Sequence, residues 1–217
     1  MKAFHGIPEL KEHYLGRIAY HMEMDHLAQG CTWEANGKIK GCAIGCTFEN
    51  YRHQDMQDEW DVPIVLAKLE DRIFEGLPIE KAKMWPMRFT SALKVGKDYS
   101  LVWPKFALWF LNRLKKYSNA PDFLSAIDKT IKIYYRWVSG ENITSKDFRA
   151  YAADVAVYAS AYAAVYAAVY AAAYAADAAA YAAVYAAYAA DAADAAACFI
   201  GWEILADKLI EIIEEVN

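Results

Sequence analysis

Residues 150–197 constrain this chain more than any other stretch, because 29 Ala, nine Tyr, five Val, four Asp and one Ser fill 48 consecutive positions. Alanine has the lowest cost of helix formation, and neither Gly nor Pro falls between Gly140 and Gly201, so helix is predicted throughout. Several of the tyrosines recur at eleven residues, as 151 with 162, 170 with 181 and 174 with 185, a period that keeps a helix face nearly straight. From Tyr158 to Tyr174 the step is four, so these rings, Tyr162 and Tyr166 among them, sweep roughly 160° around the helix. One narrow seam cannot bury them all.

No Lys or Arg lies between Arg149 and Lys208, and a helix with so little charge around it is buried or covered by a partner. An unbroken rod of this length would span about 72 Å. A compact chain of 217 residues has a radius of gyration of about 17 Å. The tract is therefore expected to fold back as two or three antiparallel helices, with Asp177 the natural break. The uncharged window 155–176 is long enough to cross a bilayer. Alanine is scarcely hydrophobic, tyrosine prefers the interface and no basic flank sets a topology, so no membrane association is expected.

A chain 57% hydrophobic and 15% aromatic can bury a real core. Residues 1–10 lack an apolar core stretch, so no secretory signal is expected at the start, and four scattered cysteines fit a reducing cytoplasm better than a disulfide framework. Residues 150–217 carry a net charge of −8 and residues 1–149 a net +3, so the two parts attract. The acidic total and the lack of a long basic run disfavour duplex nucleic acid as a partner.

Taken in order, Pro8 is placed to open a helix running from about residue 7 to 29. Ile7, Leu10, Tyr14, Ile18, Met24 and Ala28 share its apolar arc, and Arg17, His21 and Asp25 fall inside that arc at steps of four. Buried charges must be paired, so these three either satisfy one another or line a cavity. Residues 30–47 hold four glycines and three cysteines around Asn36-Gly37, the composition of a small hairpin or irregular loop. Cys31, Cys42 and Cys46 with His21 or His26 could ligate zinc, and Cys42 or Cys46 could serve as a nucleophile beside His21 or His53. Neither pattern has the spacing of an established motif, and no metal or cofactor is expected.

Asp61-Val62-Pro63 opens a helix ending at Gly76 before Pro78, Pro86 interrupts or begins the next, and Pro104 starts an aromatic core helix reaching about Tyr117. From Pro121 to Val138 a helix carries Lys129, Lys132 and Arg136 along one side beside Tyr134, Tyr135 and Trp137. Cations beside rings can hold a phosphorylated ligand, the guanidinium on phosphate and the rings on a base, although a solvated face or pairing with the acidic tail would look the same. The C-terminal helix is amphipathic, with Leu205, Leu209, Ile212, Ile213 and Val216 inward. The whole reads as an all-α multi-helix bundle with the Gly/Cys loop or hairpin near 30–47, divided into an N-terminal helical region, 1–140, and an Ala/Tyr-rich region, 141–217, packed as one globule.

Phe4-His5-Gly6, the run Gly41-Cys42-Ala43-Ile44-Gly45-Cys46-Thr47, the run Leu69-Glu70-Asp71-Arg72-Ile73-Phe74-Glu75-Gly76-Leu77-Pro78 and the Ala, Tyr and Asp tail together resemble a family of phage and bacterial Ala/Tyr-rich helical proteins. The resemblance spans most of the chain and supplies no catalytic residue. The activity of that family is unassigned; by analogy with small phage proteins that lack enzyme motifs, the chain is expected to bind something of a host, such as a nucleotide immune signal that it sequesters. The leading expectation is thus a non-catalytic binding protein, cytoplasmic, with Arg17, His21, Asp25, Lys129, Lys132, Arg136, Tyr162 and Tyr166 as ligand contacts. The alternatives are a protein-interaction or self-assembly module, forming a homo-oligomer or gripping a host protein, and a Cys/His-dependent or zinc enzyme.

Overall fold

The structure, a computed structural model, describes residues 1–34, 39–117, 121–144, 147 and 200–216. The Ala/Tyr tract, with Tyr162, Tyr166 and the expected break at Asp177, lies outside the described residues. The fold is all-α, with eight α-helices and one two-stranded sheet among the described residues. The chain divides into two compact units, residues 1–100 with 202–217, and residues 101–201.

In the first unit α1 (Pro8–Glu23) starts on Pro8, whose fixed φ and missing N–H suit the first helical position. It stops six residues short of the expected end. Asp25 takes a left-handed φ of 54°, and the His26 N–H turns back to the carbonyl of His21 at 2.9 Å. Tyr14, Ile18 and His21 are its buried residues, whereas Ile7 and Met24 at its two ends are exposed.

The Gly/Cys region forms a short antiparallel pair, β1 (Trp33–Glu34) and β2 (Lys40–Gly41), with Trp33 opposite Gly41. Its second half is helical, which the glycines and cysteines concealed: α2 (Ala43–Phe48) is a single buried segment capped by the Cys42 sulfur, which accepts the Gly45 N–H at 3.4 Å. Gly45 is required by packing, since a Cβ there would run into the Thr32 carbonyl.

The helices α3 (Gln54–Trp60), α4 (Ile64–Gly76) and α5 (Ile79–Ala92) follow. Pro63 and Pro78 sit directly before α4 and α5, as expected of a residue that starts a helix readily and cannot continue one. Pro86 neither ends nor begins a helix. It lies inside α5, buried between Trp85 and Phe89, and packing holds the helix together across the missing donor. The C-terminal α8 (Trp202–Glu214) buries Leu205, Leu209, Ile212 and Ile213 and packs on α4 and α5, with the Trp202 ring over Gly76.

Aromatic side chains fill the core of this unit. Phe4, Tyr14, Phe48 and Trp60 form a cluster with ring centroids 5.1–5.4 Å apart. Phe4 and His5 both take left-handed φ, 55° and 51°, in a conformation that costs a bulky side chain energy. The complete burial of Phe4 against Trp60 offsets that cost.

The second unit contains α6 (Val102–Leu114), continued by one 3₁₀ turn over Lys115–Tyr117, and α7 (Pro121–Val138), the two packed together. Trp103, Phe106, Phe110 and Leu114 are buried on α6, as are Ile127, Ile131, Ile133 and Tyr134 on α7. The proline-marked start at residue 121 and the end at Val138 agree with the sequence reading.

Candidate functional site

In α4 the residues Lys68, Asp71, Arg72 and Glu75 follow the spacing i, i+3, i+4, i+7, which places them on one helix face. That face forms one wall of a cavity of about 470 Å³ in the first unit. The loop residues Gly30, Cys31 and Thr32 form a second wall, and Tyr51 and His53, between α2 and α3, form the third. The Gly30 N–H donates to the Glu75 carboxylate at 2.7 Å, and the Gln29 amide donates to the carbonyls of Phe74, at 2.6 Å, and Leu77, at 2.8 Å. The loop is thereby fastened along the last turn of α4.

Asp71 is the hub of the site. One of its oxygens lies 3.0 Å from His53 Nε2 and 3.2 Å from the Tyr51 hydroxyl, while the other is buried with no hydrogen-bond partner among the described residues. A carboxylate only accepts, so His53 carries its proton on Nε2 and Tyr51 donates. Burial, followed by the charge of Asp71, pushes the Tyr51 hydroxyl well above its ordinary range and keeps it a neutral donor. Tyr51 also stands edge-on to the His53 ring at 5.0 Å and remains 44% exposed, so it offers a ring face at the rim.

Next to Asp71 in α4 is Glu70, 2% exposed, with one carboxylate oxygen unpartnered among the described residues. Burial, then the neighbouring Asp71, pushes the Glu70 carboxyl well above its ordinary value and so favours its neutral form. Lys68 is half-buried at the cavity with no hydrogen-bond or ion-pair partner among the described residues, and burial lowers its pKa. A cation already partly stripped of water and facing a polar cavity is matched to an anion that would enter there.

The residues singled out from the sequence are placed elsewhere. Arg17 donates to the Thr47 carbonyl at 3.1 Å, lies 3.8 Å from Glu49, and covers the Tyr14 ring at 5.2 Å. His21 is 1% exposed, with Nδ1 2.9 Å from His26 Nδ1 and Nε2 3.7 Å from Glu49. Burial first, then His26, lowers the pKa of His21 despite Glu49, so its contact with Glu49 is a polar approach rather than an ion pair at neutral pH. Asp25 belongs to neither group. It is exposed and pairs with Lys83 at 2.5 Å. Arg17 and His21 thus converge on Glu49 in a filled network, and none of the three lines the cavity.

On α7, Lys132 is exposed, Lys129 is half-buried, and Arg136 is engaged by Glu141 at 2.8 Å and Asp147 at 3.3 Å. Tyr162 and Tyr166 lie outside the described residues.

The thiol chemistry considered from the sequence meets an electrostatic obstacle. Cys42 and Cys46 are buried, and burial pushes both thiols up, Cys46 to about 12 and Cys42 further, with Asp71 adding to the effect at Cys42. A nucleophilic cysteine needs the opposite shift. Among the described residues no three His, Cys, Asp or Glu side chains converge as a metal-binding set. No helix among them is long and apolar enough to cross a membrane.

The α4 stripe holds no rare residue type, and polar periodicity is its one mark in the sequence. The signal was present, since Leu66, Ile73 and Phe74 mark the buried face of α4 and leave 68, 71, 72 and 75 together on another. No family model, curated protein or solved structure matches the chain.

Proposed function

We propose that this chain is a non-catalytic binding protein that holds a small phosphorylated, nucleotide-like ligand in the cavity beside α4. The observation that carries this reading is Lys68, a half-buried ammonium without a partner among the described residues, set beside Arg72 in a polar cavity of about 470 Å³. The volume falls within the range of small-molecule sites. Lys68 and Arg72 supply positive charge for phosphate, Glu75 accepts from sugar hydroxyls, and the exposed ring of Tyr51 offers a surface for a base.

The biological setting proposed, by analogy with small phage proteins that lack enzyme motifs, is a phage-encoded cytoplasmic protein that counteracts host defence by sequestering a nucleotide signal. Self-assembly through the Ala/Tyr tract is the competing reading, carried by composition alone, and light scattering that returns a strict monomer at micromolar concentration removes it.

Calorimetric titration of the full chain with nucleoside mono- and diphosphates, cyclic dinucleotides and ADP-ribose tests the ligand. Lys68→Met is expected to weaken binding by ten- to about a hundredfold, the worth of one charge-assisted hydrogen bond. No binding across the panel, or equal binding by the variant, would overturn the assignment.

A further inference from the structure

The second unit has a cleft of about 380 Å³, lined by Leu108, Trp109, Asn112, Arg113 and Lys116 on α6 and its 3₁₀ extension, and by Tyr135 on α7. Its chemistry differs from that of the α4 cavity. None of the six described lining residues is acidic, and two are cationic. Trp109, Arg113 and Lys116 follow i, i+4, i+7, so ring and charges share one face of the helical stretch, and the Arg113 guanidinium lies 5.8 Å from the Trp109 ring centroid.

Three observations point to a ligand. Tyr135 is 57% exposed, the largest exposure among the big apolar side chains described, although its neighbours Ile133 and Tyr134 are buried. Nothing in the packing of α7 calls for an aromatic ring at that outward position. Arg113 Nε is buried with no acceptor among the described residues, so no carboxylate offsets this guanidinium through that nitrogen. Lys116 has no described acceptor either, in contrast to its neighbour Lys115, which pairs with Asp128 at 2.5 Å.

We propose that this cleft is a second binding site, taking a planar aromatic ring that carries an anionic group, with a nucleoside monophosphate as the simplest example. The ring stacks on Trp109 and Tyr135, whose faces accept any base, and the anion sits against Arg113 and Lys116. An apolar ring alone would leave the two cations unmatched, and a bare anion would leave the two aromatic faces uncovered, so only the combination satisfies the whole lining. The site does not depend on the α4 cavity, with which it shares no residue.

The test is a titration of the ¹⁵N-labelled full chain with adenosine 5′-monophosphate, following the Trp109 indole N–H, assigned through Trp109→Phe. Adenosine and inorganic phosphate serve as separate half-ligands. The monophosphate is expected to move the Trp109 signal at lower concentration than either half. Tyr135→Ala and Lys116→Met, both at exposed positions, should each weaken it by about tenfold, and Lys68→Met should leave it unchanged. A Trp109 signal that stays still up to about 1 mM, the weak end of specific binding, overturns the proposal. So does a response to phosphate alone equal to that of the nucleotide, or affinity unaltered in both variants.

Discussion

The carboxylate of Asp71 lies 3.0 Å from Nε2 of His53, and that single contact ties the α2–α3 turn to the polar face of α4. The same oxygen receives the Tyr51 hydroxyl, so two of the three cavity walls are fixed to each other through one side chain.

Replacing Asp71 with Asn tests that arrangement. The amide keeps the volume but has one accepting oxygen, and its NH₂ group brings donors into a place organised around acceptance. Loss of stability of about 1–3 kcal/mol is expected from leaving a largely buried donor unpaired. Urea unfolding measures it, and a change below about 0.5 kcal/mol would mean that Tyr51 and His53 find water instead.

Much of the fold was legible because its punctuation is strong. Pro8, Pro63, Pro78 and Pro121 each stand at or directly before a helix start, and the aromatic faces of α6 and the apolar face of α8 follow helical spacing. The candidate site was not legible, for a physical reason. A cavity wall made of Lys, Asp, Arg and Glu at helical spacing has the composition of an ordinary solvated face, and only the approach of residues 30–32 and 51–53 makes it concave. The Arg17, His21 and Asp25 file misled in the opposite way. Asp25 leaves the helix at a left-handed turn, so the periodicity that placed it beside His21 no longer held there. The runs 41–47 and 69–78 meet where the charge of Asp71 helps to raise the pKa of Cys42.

Glu70 gives a stability effect with a defined sign. The folded protein holds a proton there that the unfolded chain releases above its ordinary value of 4.5. Stability is therefore lost as pH rises from that value until the folded group ionises, by about 1.4 kcal/mol per pH unit. Glu70→Gln cannot titrate, so its stability relative to the parent should climb over the range just above pH 4.5. A difference constant across that range in paired denaturant curves would show that Glu70 is ionised in the fold.

His21 acts in the other direction. Its pKa is lowered from 6.5 by burial and by His26, so below that value the unfolded chain takes up a proton that the folded protein refuses. The contribution is complete above about pH 6.5 and is lost as the pH falls below it. Proton NMR of the His21 ring should report a midpoint below that of an exposed histidine, and His21→Gln should remove the corresponding slope from the thermal midpoint. A midpoint above 6.5 would mean that Glu49, 3.7 Å from Nε2, outweighs desolvation.

The cysteines separate by burial. Cys31 is half-buried at the cavity, whereas Cys42 and Cys46 are about 1% exposed with thiols held protonated. A maleimide applied to the folded protein and read by peptide mass mapping should modify Cys31 well before the other two, because the thiolate is the reacting species. A ligand occupying the α4 cavity should slow modification of Cys31 alone. Equal rates at Cys31, Cys42 and Cys46 would place α2 outside the packed core.

Gly76 ends α4 where the Trp202 ring crosses it, and a methyl group at that position would overlap the indole. The opposing consideration is helix propensity, by which Gly→Ala stabilises a helix interior by up to about 1 kcal/mol. Overpacking costs about 1–3 kcal/mol, and the indole sits on α8, which the burial of Leu205 and Leu209 holds against α4 and α5. Gly76→Ala is therefore expected to be destabilising by about 1–2 kcal/mol net. Combining it with Trp202→Ala should make the glycine change neutral or favourable, since the obstruction is gone. Additive losses in the double variant would show that the cost at Gly76 arises from its own backbone rather than from the ring above it.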